Sequence, residues 1–294
     1  MNINKKETYN LDKVYKYVFD KRWRGKPSEM SVETYYKDIK EFFDNKDIKY
    51  IDYQLIEKFK VHLTNKITNR KRGGEPSGSS INFRLSVLKI ILEEANNLRL
   101  INYMPKVQRV SVSDCKAKGI FTKQQENNFK ANINNLFFDP DRDFYTWFVF
   151  AINTGLRHIE INCLDMNKVK QALQSESRTI DIYSGKTKHT RPVYLNRQVE
   201  YSLIQNKMEL PKYDKNRLNY LWKKVRLASM LDESYTPYST RHTCCTRLVE
   251  AGIDIKSVQY FMGHKDIKTT LTYYAKPTEK MMSKLHNELE RASE

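Results

Sequence analysis

The sequence predicts two domains: an all-α N-terminal domain and a mixed α/β, mainly helical domain with a small β-sheet. Three observations carry that prediction. The chain has 294 residues, enough for two cores of roughly 100–200 residues each. Apolar side chains recur at helical spacing through its first third, whereas the second part adds two short β-prone segments around a polar turn. With 39% hydrophobic and 30% charged residues and only 9 Gly and 8 Pro, the composition excludes collagen-like, disordered and linker-dominated chains.

Taken in order, the strongest helical signal of the first third lies over 80–97, where Ile81, Leu85, Leu88 and Leu92 share a face widened by Val87 and Ile91. That face needs partner helices. The spacing predicts them over 11–19, with Val14, Tyr15 and Val18, over 32–43, with Tyr35, Tyr36, Ile39 and Phe43 behind an N-cap at Ser31, and over 55–63. Residues 69–80 hold Arg70, Lys71 and Arg72 among glycines and a proline, and read as a basic surface loop that contacts phosphates or faces water. Residues 105–119 lack an apolar pattern and stop just before Thr122-Lys-Gln-Gln125, a capping-box helix start. The boundaries drawn are 1–112 for the helical domain, 113–119 for the linker and 120–294 for the second domain.

In the second domain Phe144, Trp147, Phe148 and Ala151 keep a helical period. Residues 179–183 and 191–195 are β-prone and flank a turn rich in lysine, a strand-turn-strand unit. Helical pattern resumes over 218–227, 243–250 and 255–262, with Gly252 placed to end the second of these. After Ala275-Lys-Pro-Thr278 a last amphipathic helix carries Met281, Met282 and Leu285.

The formal net charge is +17, which nominates a polyanionic partner, either nucleic acid or an acidic membrane surface. It divides almost evenly, +9 over 1–112 and +8 over the remainder, so charge alone does not single out one domain as the binding module. No apolar run approaches the roughly 20 residues that span a bilayer, and the first ten residues lack a signal-peptide core. Cys115, Cys163, Cys244 and Cys245 form neither a disulfide framework nor a zinc pattern. A reducing, cytoplasmic location with no membrane partner is expected.

Polar groups that stand beside sharp turns are the ones able to converge on a substrate. Four places qualify: Thr154-Gly155-Leu156-Arg157 with Glu160, the turn around Lys186, Tyr238-Ser-Thr-Arg241-His242-Thr243, and Gly263-His264 followed by Thr269, Thr270 and Tyr273. Two arginines, a lysine, a histidine and a tyrosine are the ingredients of a phosphodiester site in which cations absorb oxygen charge and a phenol attacks. In these motifs taken together, with the lysine turn running Gly185-Lys186-Thr-Lys-His-Thr-Arg191, the whole chain resembles the tyrosine site-specific recombinases, the phage integrase and Xer-type family.

The resemblance implies a helical core-binding domain of SAM-like fold followed by a catalytic domain, clamped on opposite sides of DNA. It implies that Arg157 and Arg241 grip the non-bridging oxygens of the scissile phosphate, a task suited to rigid guanidinium forks. Glu160 is expected to orient Arg157. Lys186 matches the lysine that protonates the departing 5′ oxygen, and Lys188 is near enough in sequence to compete for that assignment. His264 fits the family's late histidine or tryptophan, and Tyr273, nine residues further on, fits the nucleophile; Tyr274 points roughly 100 degrees away around a helix. Arg70, Lys71, Arg72 and Lys188 are the expected DNA contacts. No cofactor and no metal are implied.

One position departs from the family pattern. A histidine usually stands three residues before the second arginine, where this chain has Tyr238, while His242 matches the structural Arg-His-Thr segment. A phenol with an ordinary pKa of about 10 is a poor base at neutral pH, so the implied role of Tyr238 is phosphate contact, with proton handling shifted to His264 or water. The expected reaction passes through a 3′-phosphotyrosyl bond and a Holliday junction, in a homo-tetramer on synapsed duplexes with inverted-repeat core sites. An accessory DNA-bending protein and exchange of the C-terminal helix between protomers belong to the same expectation. No arm-site domain is expected before Tyr9, which favours simple core-site integration, excision or dimer resolution. Two other classes share the features: a type IB topoisomerase, distinguished by relaxation without strand exchange, and a catalytically weak DNA-binding regulator, distinguished by the absence of a covalent adduct.

Overall fold

The structure is a computed structural model that describes residues 9–70, 78–111, 119–137, 143–185 and 188–274, together with 282, 283, 286, 287, 289 and 291. The chain divides into two compact units, Met1–Cys115 and Lys116–Glu294.

The first unit contains α1 (Leu11–Arg22), α2 (Glu29–Phe43), a single 3-10 turn at Ile48–Tyr50, α3 (Tyr53–Arg70) and α4 (Gly78–Asn97). Asn10 starts α1, its side chain accepting the Lys13 N–H at 2.9 Å, which satisfies one orphan donor of the first turn. The apolar stripe of α4 faces α1, α2 and α3. Leu85, Leu88, Ile91 and Leu92 close there on Leu11, Val14, Ile39, Phe43 and Phe59, the burial that holds the bundle. A charge cluster is buried with them: Arg84 Nε donates to Asp38 Oδ2 at 2.6 Å, Arg84 Nη1 donates to the Ser80 carbonyl at 2.8 Å, and Lys66 pairs with Asp38 Oδ1 at 2.8 Å. The Arg84 guanidinium also lies over the Tyr35 ring, 5.1 Å from its centroid.

Two expectations need correction here. Helix α2 begins at Glu29 rather than after Ser31; Ser28 occupies the cap position with helical backbone angles and makes no side-chain cap bond. The Glu29 carboxylate instead accepts the Gly25 N–H at 2.7 Å, which ties the preceding turn to the helix and lets it start a turn early. Residues 69–80 are not all loop: α3 runs through Arg70 and α4 starts at Gly78. Polar residues at a helix end break no packing rule, so the missing apolar period did not mark a helix stop. Lys71 and Arg72 lie outside the described residues, as does the side chain of Arg70.

The second unit contains α5 (Lys123–Leu136), α6 (Phe144–Thr154), α7 (His158–Asn162), α8 (Met166–Gln174), β1 (Thr179–Ser184), β2 (His189–Tyr194), α9 (Arg197–Gln205), α10 (Lys215–Ala228), α11 (Ser239–Glu250), α12 (Ile255–Met262) and α13 (Ile267–Tyr274). The Thr122–Gln125 capping box is formed in both directions. Helix α6 is apolar nearly all round, with Phe144, Trp147, Phe148, Val149, Phe150, Ala151 and Ile152 buried, as a central helix must be. It packs on α9 and α11. Strands β1 and β2 form an antiparallel hairpin in register from Thr179 opposite Tyr194 to Ser184 opposite His189. Helix α11 begins at Ser239, four residues before the predicted start. Its first turns bury Ser239, Thr240, Arg241, His242 and Thr243, and a polar buried helix gives no amphipathic signal.

The chain enters this unit beneath the start of α11. The Gly119 N–H donates to the Ser234 carbonyl at 3.1 Å, and a Cβ at Gly119 would lie 2.6 Å from the Tyr235 ring. The Phe121 N–H donates to Thr243 Oγ1 at 2.9 Å. Of the predicted last helix, Met281 and Leu285 lie outside the described residues, and Met282 and Leu289 are exposed. Among the described residues no helix is long and apolar enough to cross a membrane.

Candidate active site

Helix α6 ends at Gly155, whose φ of +63° is left-handed. A Cβ there would also stand 3.1 Å from Cys244 Sγ and from Met262 Sδ, so glycine is required by conformation and by space. The turn buries Leu156 and leaves Arg157 at the N-cap of α7. Glu160, three residues on, holds Arg157 at both ends: Oε2 accepts its backbone N–H at 2.9 Å and Oε1 accepts Nη1 at 2.8 Å. Arg157 Nη2 donates to the Gly263 carbonyl at 3.2 Å.

Arg241, in the first turn of α11, is 1% exposed. Its Nη1 donates to the Gly155 carbonyl at 2.6 Å and its Nη2 to the Met262 carbonyl. Nε is buried without a partner, and among the described residues no carboxylate stands within ion-pair distance of this guanidinium. Burial first, and then the Arg157 charge, lower the Arg241 pKa. Because guanidinium stays protonated in proteins, the outcome is a stored electrostatic cost that an oxyanion relieves. Arg157, Arg241 and Tyr238 line one cavity of about 360 Å³, and so does Trp147, whose indole N–H is likewise buried without a partner.

The third converging element is the turn between α12 and α13. Gly263, φ +61°, ends α12. The His264 N–H donates to the Gln259 carbonyl, Gln259 Nε2 donates to the His264 carbonyl, both at 3.1 Å, and the His264 Nδ1 lies 2.9 Å from Thr270 Oγ1. These bonds fix the ring, which is 9% exposed. Tyr273 is on α13, one helical turn beyond Thr270; its side chain lies outside the described residues.

Lys186 lies outside the described residues as well. Beside it in sequence, the Lys188 N–H donates to the Ser184 carbonyl at 2.7 Å, and Lys188 itself is left-handed at φ +52°. Tyr238 stands at the start of α11, 44% exposed, with its ring edge-on to His242 at 4.8 Å between centroids. His242 is buried. The structure thus brings Arg157, Glu160, Arg241 and Tyr238 together and places His264 on the segment whose neighbouring carbonyls bind both arginines.

Arg191, the last residue of the Gly185–Arg191 motif, received no role from the sequence. This side chain of β2 is 1% exposed; Nη1 and Nη2 donate to Glu160 Oε1 and Oε2 at 3.3 and 2.9 Å, and Nε donates to the Phe261 carbonyl at 2.7 Å. A signal existed in the strand's alternation, which puts Arg191 in phase with buried Val193. Burial alone would raise the Glu160 pKa; the Arg191 hydrogen bonds, the Arg157 N–H and both charges outweigh it and hold the carboxyl at about 2. Burial pushes the Cys244 thiol up to about 12, so it packs beside Gly155 as a small apolar group rather than as a nucleophile. Among the described residues no group of three or more His, Cys, Asp and Glu is placed to share a metal ion.

A two-unit, mainly helical chain in which two arginines donate to the carbonyls of one turn defines a class, and comparison with known proteins supplies the family. The family model of the phage integrases matches residues 121–281; the chain belongs to the phage integrase family. Over 43 residues it is 54% identical to the transposase from transposon Tn916 of Enterococcus faecalis, a stretch that covers 15% of this chain and 11% of that protein. The integrase of Staphylococcus phage L54a is 27% identical over 144 residues, 47% of this chain and 39% of that protein. The matched stretches therefore span well under two thirds of these relatives.

Among solved structures, the Tn1549 transposon integrase in complex with circular intermediate DNA superposes with a TM-score of 0.73 at 21% identity, over 94% of this chain and 99% of that one. A lambda integrase dimer bound to a COC′ core site gives 0.69 at 15% identity, over 90% and 95%. At these identities the likeness is one of fold: a helical N-terminal region and a mixed α/β domain with a small sheet.

Proposed function

We propose that the chain is a tyrosine-type site-specific DNA recombinase. The observation that carries this reading is the convergence of Arg157 and Arg241 on the carbonyls of Gly155, Met262 and Gly263, with no carboxylate on Arg241. Like charges held together in this way fit a phosphodiester whose non-bridging oxygens receive the guanidinium donors, Arg241 Nε among them. Arg157 keeps its orientation through Glu160 and Tyr238 adds a phosphate contact from the mouth of the same cavity. The Tyr273 phenol attacks phosphorus; the bond from phosphorus to the 5′ oxygen breaks as the tyrosyl ester to the 3′ phosphate forms. Lys186 protonates the departing 5′ oxygen, and His264 or water accepts the phenolic proton.

A 5′ hydroxyl from a partner strand then attacks the ester, conserving the phosphodiester energy, and two such rounds pass through a Holliday junction. Four protomers on two duplexes with inverted-repeat core sites, helped by a DNA-bending protein in a cytoplasmic setting, complete the reading. Residues 1–112 form its core-binding domain and residues 120–294 its catalytic domain, with 113–119 as the linker. Phosphate contacts by Arg70, Lys71, Arg72 and Lys188 make the affinity fall steeply with salt.

The test is capture on nicked suicide duplexes. The parent protein should form a covalent protein–DNA adduct that Tyr273→Phe does not form, and should exchange strands between two marked duplexes. Relaxation of supercoiled DNA without exchange would replace this reading by a topoisomerase; duplex binding without any adduct would replace it by a regulator.

A further inference from the structure

Three segments of the second unit meet at one buried guanidinium. Arg191 leaves β2 on its inward phase and grips both oxygens of Glu160 through Nη1 and Nη2, while its Nε donates to the Phe261 carbonyl. Glu160 is also the carboxylate that holds the Arg157 backbone and side chain. The next two carbonyls after Phe261, those of Met262 and Gly263, accept from Arg241 and Arg157. Arg191 therefore hydrogen-bonds the carboxylate that fixes Arg157 and the carbonyl next to the one that accepts from Arg241, and it does so from β2. The turn closes on this side chain directly: a Cβ at Gly263 would stand 2.9 Å from Arg191 Nη1 and 3.1 Å from its Cζ.

We infer that Arg191 is a positioning residue for strand cleavage, setting Arg157 through Glu160 and Arg241 through the 261–263 turn in one register with the hairpin. This inference rests on the recombinase reading above. A purely stabilising role would cost stability when Arg191 is replaced, because Glu160 loses a buried partner, and would leave the rate per folded molecule unchanged. A lysine supplies the charge without the three directed N–H groups of the fork.

The experiment uses the full chain with Arg191→Lys and Arg191→Met on a nicked suicide duplex. It measures the adduct-forming rate at saturating protein, the affinity for an uncleavable duplex, and the folded fraction by near-ultraviolet circular dichroism. The rate per folded molecule should fall ~100-fold in the lysine variant, the size of effect a misplacement near 1 Å produces, and further in the methionine variant. Duplex affinity should stay at the parent value. Glu160→Gln combined with Arg191→Lys should cleave no more slowly than the slower single variant, because both act through one path.

The inference is overturned by parental cleavage in a folded Arg191→Lys protein, by a loss that only tracks the folded fraction, by additive losses in the double variant, or by failure of both single variants to fold. A parent protein that forms no adduct refutes the recombinase reading, and this inference with it; full cleavage by Arg191→Lys refutes the inference alone.

Discussion

Each unit of the molecule buries an arginine, and the two are treated in opposite ways. Arg84 in the helical bundle is closed: Asp38 neutralises it, the Ser80 carbonyl accepts from Nη1, and the Tyr35 ring covers its face. Arg241 is buried more completely, yet it meets only two carbonyls and leaves Nε without a partner. Burying a cation without a counter-charge costs folding energy, so the second arrangement makes physical sense only when an anion completes it. Arg84 needs nothing further, whereas under the recombinase reading proposed above Arg241 is where the phosphate's charge belongs.

Substitution at the two arginines gives the largest expected effects, in opposite directions. Arg241→Ala should lower the single-turnover cleavage rate ~10²–10³-fold or more, as loss of one oxyanion donor does elsewhere, while urea denaturation reports little loss of stability. Arg84→Ala should cost about 3 kcal/mol of stability by stranding part of a buried ion cluster, while each folded molecule cleaves at the parental rate. The reverse pattern would dissolve the comparison.

Acid titration sharpens it next. The Glu160 carboxyl is held at about 2 in the folded protein against an ordinary 4.5. A depressed carboxyl contributes stability that is complete above about pH 4.5 and is lost as pH falls toward 2, on the order of 3 kcal/mol for such a shift. Glu160→Gln should therefore flatten that part of the acid-unfolding curve, measured by circular dichroism at fixed urea. A curve of unchanged shape would show that Arg191 and Arg157 do not hold Glu160 ionised.

A smaller effect tests the open charge itself. Orthovanadate, a phosphate mimic, should raise the thermal midpoint of the parent protein, by about 1.4 kcal/mol of stability at ten times its dissociation constant. It should leave Arg241→Ala unmoved. Equal stabilisation of both proteins would place the anion elsewhere.

The smallest effect separates the two lysines of the hairpin turn. Lys188 is left-handed, so Lys188→Gly should stabilise the unit by about 1 kcal/mol. Its cleavage rate should fall far less than that of Lys186→Ala, which removes the proposed general acid. Equal losses would give the proton-donor role to Lys188.

What was legible in the sequence followed from periodicity and local capping. Ile81, Leu85, Leu88 and Leu92 announced α4, the residues at 122 and 125 announced the start of α5, and the lysine turn announced the hairpin. The start of α11 was not legible, because Ser239 to Thr243 are buried polar residues whose partners, such as the Gly155 carbonyl for Arg241, are distant in sequence. Arg191 was legible as the end of the lysine-turn motif but not in its role, for a related reason: only the fold shows that Glu160 and the Phe261 carbonyl accept from it. The motif residues Arg157, Glu160 and Arg241 were recognisable, but their sharing of carbonyls around one turn was not, since main-chain acceptors carry no residue signature.

The way the polypeptide enters the second unit has a mechanical consequence. Gly119 lies under the Tyr235 ring and bonds the Ser234 carbonyl, and Phe121 bonds Thr243. The incoming thread is thereby stitched down on both sides of Tyr238 and Arg241. Because Phe121 also packs into the aromatic core against Phe129, Phe148 and Trp222, one short stretch anchors both that core and the start of the helix bearing Arg241.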